Sequence, residues 1–247
     1  MRYLEGGEVM LGSPEPNKDA QRFGTSSQSP PARKATIEAF WVAETEVTQG
    51  QFKALMGYNP AAQHPERQCE QGKLGDTLPV VCVTWFEALR YCNALSKREK
   101  KGIVYKIDRQ NVRIQAKSTE GYRLLSGDEW EYAAKSGQDL IYAGTSQDKE
   151  LCLFANVNDG LADCRSKHAG LAPVASYRPN AWGLYDFSGN AEEWVADWRH
   201  QGSHREVRGG SYDMHPYQFT RVYARAGRIP THRDNARGFR VALRDGS

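Results

Sequence analysis

Stretches in which apolar and polar residues alternate mark the first part of the chain and predict β-strands. Residues 1–12 alternate and end in glycine, and the segment ATIEAFWVAETEV at 35–47 alternates in the same way. Residues 13–34 between them are polar and rich in serine and proline, which is typical of a loop. The pattern therefore predicts two strand regions joined by a long connection.

One local signal predicts three helices, namely a hydroxyl residue followed three positions later by Gln or Glu and then by an apolar run. Such a capping box satisfies backbone N–H groups at the start of a helix from both of its side chains. The three pairs are Thr48 with Gln51, Thr84 with Glu87, and Ser126 with Glu129.

After residue 140 the chain is rich in Gly, Asn, Asp and Pro, and strand-like patterns return only near the end, in EVRGGSYD, TRVYARAG and GFRVALR. In GFRVALR, Phe239, Val241 and Leu243 face one way, and Arg240 and Arg244 face the other. The chain is predicted to be an α+β protein of low regular secondary structure with long loops, forming a single domain over 1–247. Long irregular connections need an organiser other than secondary structure, and disulfides with a bound cation would serve.

Composition limits the classes of function. Of 247 residues, 39% are hydrophobic and 26% charged, which permits a substantial core. A net charge of +3 gives no basis for binding nucleic acid. No apolar run approaches the ~20 residues that span a bilayer, and the N-terminus lacks the apolar core of a signal peptide, so no membrane insertion is expected. We expect a monomer, and the compartment is left open.

Five cysteines suggest two disulfides. Cys69 and Cys82 flank a polar loop, as do Cys152 and Cys164, and each bridge would remove about 3 kcal/mol of chain entropy from the unfolded state. Cys92 follows helical spacing and is predicted to be a buried free thiol. The alternative is that all five are reduced, and formation of the disulfides would favour an extracytoplasmic or cell-surface location in a bacterium.

The run GLYDFSGNAEEWVADW at 183–198 combines carboxylates, a Gly-Asn turn and four aromatic residues. The acids indicate a cation site, whereas Trp194 and Trp198 indicate a core. The order of this and other segments resembles the formylglycine-generating enzyme (sulfatase-modifying factor) family, whose domain is a divergent C-type-lectin-like fold. The matching segments are GGEVMLGSP, FWVAETEVTQGQFKALMG, PVVCVTWFEALRYCNAL, GYRLLSGDEWEYAA, FANV, APVASYRPNAWGLYDFSGNAEEW, VRGGSYD, ARAGR and RGFRVAL.

The resemblance implies a structural calcium ion at this run. Asp186 and Glu193 would supply carboxylate oxygens, and Gly189 and Ala191 would supply backbone carbonyls, which is the oxygen-only donor set that calcium prefers. The alternative is a solvated turn with two surface acids. Glu192 stands where the family commonly has tryptophan.

A second calcium site of the family is matched only in half. Asn156 and Val157 are present, but the aspartate position reads Ser166 and the next donor position reads His168. We therefore expect this weak second site to be incomplete.

Catalysis is not expected, because the copper ligands of the family are missing. Oxygen-activating members hold copper between two cysteines after GGS, and those positions are Met214 and Phe219 here. No nucleophile elbow, P-loop or Cys-His pair replaces them. His200 and His204 would suit a metal on a helix, but WRHQGSHREV is typical of a loop before a strand, so a histidine site is disfavoured.

The C-terminal segment 208–240 is rich in tyrosine and arginine, which dominate binding hot spots, and lies where the family builds its ligand groove. It also resembles the variable proteins of diversity-generating retroelements, which change surface residues between RGGS and GFR. The candidate ligand-binding residues are Tyr212, Asp213, His215, Tyr217, Phe219, Tyr223, Arg225, Arg228 and His232. Because strands alternate, half of the aromatics could belong to the core.

The expected function is therefore non-catalytic binding of a protein or small-molecule ligand at the C-terminal surface, with calcium as a structural cofactor and no copper. The alternatives are a divergent oxidoreductase or tailoring enzyme of the same family, and a non-catalytic component of a secretion or envelope-signalling system.

Overall fold

The computed structural model describes residues 1–16, 29–63, 69, 74–115, 120–157, 168, 170–214 and 219–244. Its helices are α1 (Gln49–Met56), α2 (Pro60–Gln63), α3 (Trp85–Arg98), α4 (Gly127–Lys135) and α5 (Leu151–Phe154). Its strands are β1 (Arg2–Leu4), β2 (Gly7–Leu11), β3 (Arg33–Ile37), β4 (Phe40–Val42), β5 (Tyr105–Asp108), β6 (Asn111–Ile114), β7 (Tyr122–Leu124), β8 (Glu192–His200), β9 (His204–Arg208), β10 (Ala226–Arg228), β11 (Arg237–Gly238) and β12 (Val241–Arg244). The predicted α+β class with few regular elements is confirmed.

All three predicted capping boxes are present and reciprocal, so the three main helices begin where the sequence places them. At α1, for example, Gln51 N donates to Thr48 Oγ1 over 3.1 Å and Thr48 N donates to Gln51 Oε1 over 3.0 Å. α3 and α4 begin in the same way after Thr84 and Ser126. Among the described residues, no helix combines the length and the apolar character needed to cross a bilayer.

Two four-stranded sheets and two hairpins make up the strand layer. The first sheet has the order β1-β4-β12-β7, and the second has the order β10-β9-β8-β11. The first sheet is antiparallel throughout, whereas β11 runs parallel to β8 in the second. β2 pairs with β3, and β5 pairs with β6.

Two large apolar clusters meet at the central strands. One surrounds α3 and includes Trp194 and Val241, whereas the other surrounds α4 and includes Val195 and Ala242. Neighbouring residues of β8 and of β12 therefore face different clusters, so the first residues of both strands are buried on both faces. This placement fixes the start of β8, which carries the predicted calcium segment, inside the molecule.

The strand predictions hold for position but not for extent. The first alternating stretch is two strands separated by Glu5 and Gly6, and the φ angles of Gly6 and Gly7 are 75° and 125°. Of the segment at 220–227, only Ala226 and Gly227 belong to a strand. The loop prediction for WRHQGSHREV is wrong, because this stretch forms the end of β8, a turn and β9.

Two of the cysteine predictions are confirmed, and one stays a prediction. Cys69 and Cys82 form a disulfide with a Cα–Cα distance of 5.8 Å, and Cys92 is a buried free thiol, as predicted. Cys152 is also disulfide-bonded. Cys164 lies outside the described residues, so its pairing with Cys152 stays a prediction.

Buried arginines bind the backbone of irregular segments, a feature the sequence analysis did not anticipate. The Arg240 guanidinium donates to the carbonyl of Tyr185 over 2.9 Å and to those of Ala43 and Glu44 over 3.4 and 3.3 Å. Arg208 donates in the same way to the carbonyls of Ala224, Val222 and Gly127. These side chains satisfy carbonyl groups that would otherwise be orphaned inside the protein.

Candidate functional site

The predicted calcium segment is tightly turned on itself. Asp186 and Asn190 have left-handed backbones with φ angles of 60° and 59°. At Gly189 a Cβ atom would lie 2.2 Å from the carbonyl oxygen of Asn156, so only glycine fits there. The turn places Asp186 and the neighbouring backbone carbonyls in the interior of the protein. A loop that binds an ion would hold its oxygen ligands in such a position.

The two acids of this segment have different surroundings. Both Glu193 oxygens accept hydrogen bonds from Arg240, at 2.6 to 2.9 Å, and Oε2 also accepts one from Trp130 Nε1 at 2.9 Å. Asp186 Oδ2 accepts a hydrogen bond from Ala175 N at 2.8 Å, whereas its buried Oδ1 has no hydrogen-bond partner. Glu193 is therefore committed to a buried ion pair, and Asp186 keeps an unused acceptor.

Glu46 is an acid that the sequence analysis missed. Its carboxyl group is buried within hydrogen-bonding reach of Asp186, and its Oε2 atom has no hydrogen-bond partner. Burial raises the pKa of Glu46 well above its usual value, and the charge of Asp186 raises it further. The orphaned oxygens of Glu46 and Asp186 are the atoms here that fit a hard cation.

The side chains alone do not assemble a metal centre. Within the described ranges, no group of three or more His, Cys, Asp or Glu residues has the arrangement that could hold a metal ion. A calcium ion at this loop would therefore need backbone carbonyls, as the family resemblance implies for Gly189 and Ala191. Calcium binding stays a prediction.

At the weak second site, Asn156 is engaged in the fold. Its side-chain amide donates to the carbonyl of Gly170 over 2.9 Å and to Asn190 Oδ1 over 3.1 Å. Its own carbonyl accepts a hydrogen bond from Asn190 N at 2.7 Å. Val157 is buried, and Ser166 lies outside the described residues. These hydrogen bonds connect the loop that contains Asn156 to the predicted calcium segment.

The candidate ligand-binding residues do not all reach the surface. We define the C-terminal face as Tyr212, Asp213, Phe219, Arg228 and His232, of which Asp213 and His232 are exposed and the others half-buried. His215 and Tyr217 lie outside the described residues.

Two other candidates belong to the scaffold. Tyr223 is only 5% exposed and packs in the cluster around α4, in line with the alternative that part of the aromatics belong to the core. Arg225 is half-buried and lies 3.2 Å from Asp128 and 3.3 Å from Glu131, which also binds Arg208 at 2.8 Å. Its charge is neutralised within the protein.

A fixed charge network underlies the C-terminal face. Arg237 is buried and donates to Glu192 Oε2 over 2.8 Å, and it pairs with Asp234 at 2.7 Å. Arg228 approaches the other oxygen of Glu192 at 3.4 Å. Glu192, which stands where the family commonly has tryptophan, therefore pairs with Arg228 of the face and with the buried Arg237.

The same network orients His232. Arg237 donates to His232 Nδ1 over 2.9 Å, so the neutral imidazole carries its proton on Nε2. Burial and the nearby charge of Arg237 lower the pKa of His232. Tyr212 lies close to Asp213 and Asp234, and burial together with these charges raises its pKa to about 12. Both groups are therefore neutral hydrogen-bond donors near pH 7.

The two positions that would hold copper are filled by bulkier side chains. Met214 and Phe219 are both half-buried. Phe219 packs against Gly210, where a Cβ atom would lie 3.1 Å from the Phe219 Cβ. As bounded by the described residues, the crevice between Glu192, Gly210 and Phe219 has no room for a water molecule.

Comparisons with known proteins identify a family for this chain. The sulfatase-modifying factor enzyme 1-like domain family (FGE-sulfatase) matches residues 1–245. Chaperone protein LppX of Paenibacillus barcinonensis is 32% identical over 210 residues, which are 75% of this chain and 70% of that protein. The formylglycine-generating enzyme of Bos taurus is 26% identical over 256 residues, covering 86% of this chain and 67% of the enzyme.

A solved structure extends the likeness to the whole fold. Treponema denticola variable protein 1 has a TM-score of 0.82 at 27% identity and covers 99% of this chain and 95% of its own. The family match spans nearly every residue of the chain. The chain therefore belongs to the sulfatase-modifying factor enzyme 1-like domain family.

Proposed function

We propose that this domain is non-catalytic and binds a protein or small-molecule ligand through its C-terminal face. The observation that carries the proposal is the occupation of both copper positions by Met214 and Phe219, with Phe219 closing the crevice beneath it. Oxygen activation in this family needs thiolates at those positions, and a thioether with a phenyl ring cannot supply them. Recognition at an outer surface needs neither thiolates nor a deep pocket.

The division between scaffold and face supports a binding role. Glu192 and Arg237 are buried and hold each other, whereas Asp213 and His232 are exposed above them. Exposed residues can therefore change without altering the packing below. Tyr212 and His232 add neutral donors on apolar rings, a combination that suits protein interfaces.

The relatives favour a protein ligand. LppX is named a chaperone protein, and the matched structure is that of a variable protein. A chaperone acts on other proteins, so the likeness to LppX supports a protein partner over a small molecule. Calcium enters the proposal as a structural ion at Asp186 and Glu46, and copper does not enter it.

The catalytic alternative is tested directly. The protein is incubated with copper, oxygen and a peptide that carries the family's Cys-x-Pro-x-Arg substrate motif, and the peptide mass is followed. We expect no loss of the substrate thiol relative to a reaction without protein. Conversion of cysteine to an aldehyde above that control would overturn the proposal.

The binding role is tested by site-specific photo-crosslinking in extracts of the native host. A photoreactive amino acid replaces Tyr212 in one variant and Lys106, which is exposed on the β5–β6 hairpin, in a matched control. We expect a defined adduct from position 212 and none from position 106. An adduct pattern that is the same at both positions would contradict a binding site at the C-terminal face.

A further inference from the structure

Two histidines face each other at the tip of the hairpin formed by β8 and β9. His200 ends β8 and His204 begins β9, and the turn between them contains Gly202 with a φ of 77°. The two residues are partners in the ladder, and their ring centroids lie 5.7 Å apart with the ring planes at 87°. Four-residue spacing brings histidines together across this tight turn as it would along a helix.

A bulge creates this pairing. Trp198 pairs with Arg205, and the next pair is His200 with His204, so the ladder shifts by one residue between them. A regular continuation from Trp198 and Arg205 would place Arg199 opposite His204. The extra residue therefore replaces a fixed cation beside His204 with a second imidazole.

The fold makes little use of either ring. His204 Nδ1 lies 3.0 Å from Ser203 Oγ, which leaves Nε2 available. Within the described part of the chain, the ring of His200 contacts His204 but has no hydrogen bond or carboxylate partner. His200 is exposed and His204 is half-buried, so solvent ions reach the pair.

We propose that His200 and His204 form a two-imidazole binding site for a divalent transition-metal ion, Cu²⁺ or Zn²⁺, with water in the remaining positions. Imidazole nitrogens bind these ions at 2.0–2.1 Å, so two rings sharing one ion have centroids about 5 Å apart. The observed separation is slightly larger, and small side-chain rotations close the difference. Among such ions, Cu²⁺ binds nitrogen ligands most tightly.

The proposed metal site shares no residue with the C-terminal face, and its nearest neighbour there is Arg228, which pairs with Arg205 next to His204. His200 and His204 lie at the far end of β8 from Glu192 and Glu193, and neither belongs to the C-terminal face. Failure of the metal site would therefore leave the binding proposal unaffected. Bound metal would link the two strands where the turn joins them.

The test uses EDTA-stripped protein of full length and isothermal titration with CuCl₂ and, separately, ZnCl₂. We expect one site per chain, and His200→Gln and His204→Gln should each weaken binding by roughly tenfold or more, since even the loss of outer-shell partners has effects of that size. His64→Gln, which replaces a histidine more than 130 residues away in sequence, is the matched control and should leave the affinity unchanged. Metal-free melting curves of all three variants should match that of the parent protein, which separates loss of binding from loss of fold.

Electron paramagnetic resonance of the Cu²⁺ complex supplies an independent readout. The spectrum should show hyperfine coupling to two imidazole nitrogens, and this pattern should disappear in either single variant. Copper binding that survives both substitutions, or that depends on only one of the two histidines, would overturn the proposal.

Discussion

Replacing Arg240 with methionine tests whether the predicted calcium segment is held by the ion pair with Glu193. The side chains of Arg240 and Glu193 are 0% and 1% exposed, and the guanidinium also binds the carbonyl of Tyr185. Methionine keeps an apolar stem beside the Phe187 ring, which lies 3.7 Å from the guanidinium carbon. The substitution therefore removes charge and donors while disturbing packing little.

The expected cost follows from the burial of the pair. Removing one partner of a buried ion pair leaves an uncompensated charge and costs about 3–5 kcal/mol. Here the stranded Glu193 would share the interior with Glu46 and Asp186, whose charges lie close enough to interact with it. One kcal/mol shifts the Tm of a chain of this size by about 2–4 °C, so the Tm should fall by roughly 6–20 °C.

The assay is urea unfolding followed by fluorescence and circular dichroism, with coincident transitions required for a two-state analysis. Arg244→Met is the matched control, because Arg244 lies on the same strand and pairs with Glu38 at the surface. The control should lose no more than about 1 kcal/mol. If Arg240→Met loses as little as Arg244→Met, the ion pair does not hold this segment.

Three further outcomes are expected. EDTA should lower the Tm of the parent protein, because calcium binds only the folded state, and Asp186→Asn should abolish this response; an unchanged melting curve in the parent would count against calcium. Tyr223→Ala should cost about 3–5 kcal/mol, the range for a buried aromatic, whereas Tyr212→Ala at the face should cost less than half as much; equal losses would place Tyr212 in the core. Burial raises the pKa of Glu87, but hydrogen bonds, of which that from Arg233 is the largest, lower this pKa overall. The ionised Glu87 therefore stabilises the fold fully above the pKa of an unfolded glutamate, about 4.3. This stabilisation is lost as the pH falls through the lower pKa of Glu87 in the folded protein. Glu87→Gln should therefore be less stable than the parent at pH 7, and this difference should shrink as the pH falls below about 4.3; a difference that does not shrink in acid would refute the assignment.

Local signals predicted local structure well. The capping boxes at Thr48, Thr84 and Ser126 depend only on residues three apart, and all three helices start there. The cysteine pair that closes a 13-residue separation and the free thiol on α3 were predictable for the same reason. Each of these features depends on residues that are close together in the sequence.

Features that depend on distant partners were missed. The alternation in GFRVALR correctly separates Arg240 from Phe239 and Val241, but it cannot show that the arginine side of the strand faces Glu193 across the interior. The hairpin of His200 and His204 was missed because the one-residue bulge breaks the period on which strand prediction depends. Glu46 was missed because a single acid in an alternating strand gives no sign of a partner 140 residues away.

The buried guanidinium groups also determine where this chain can tolerate insertion. Arg208 and Arg240 hold carbonyls from segments far apart in sequence, and these bonds depend on end positions rather than on the length of chain between them. A segment that lies between two carbonyls bound by these arginines can lengthen, shorten or change composition while its ends stay fixed, since added loop length costs little entropy. Homologous chains should therefore vary most in length between the carbonyls that the buried arginines bind. Segments exchanged between homologues should begin and end at these positions.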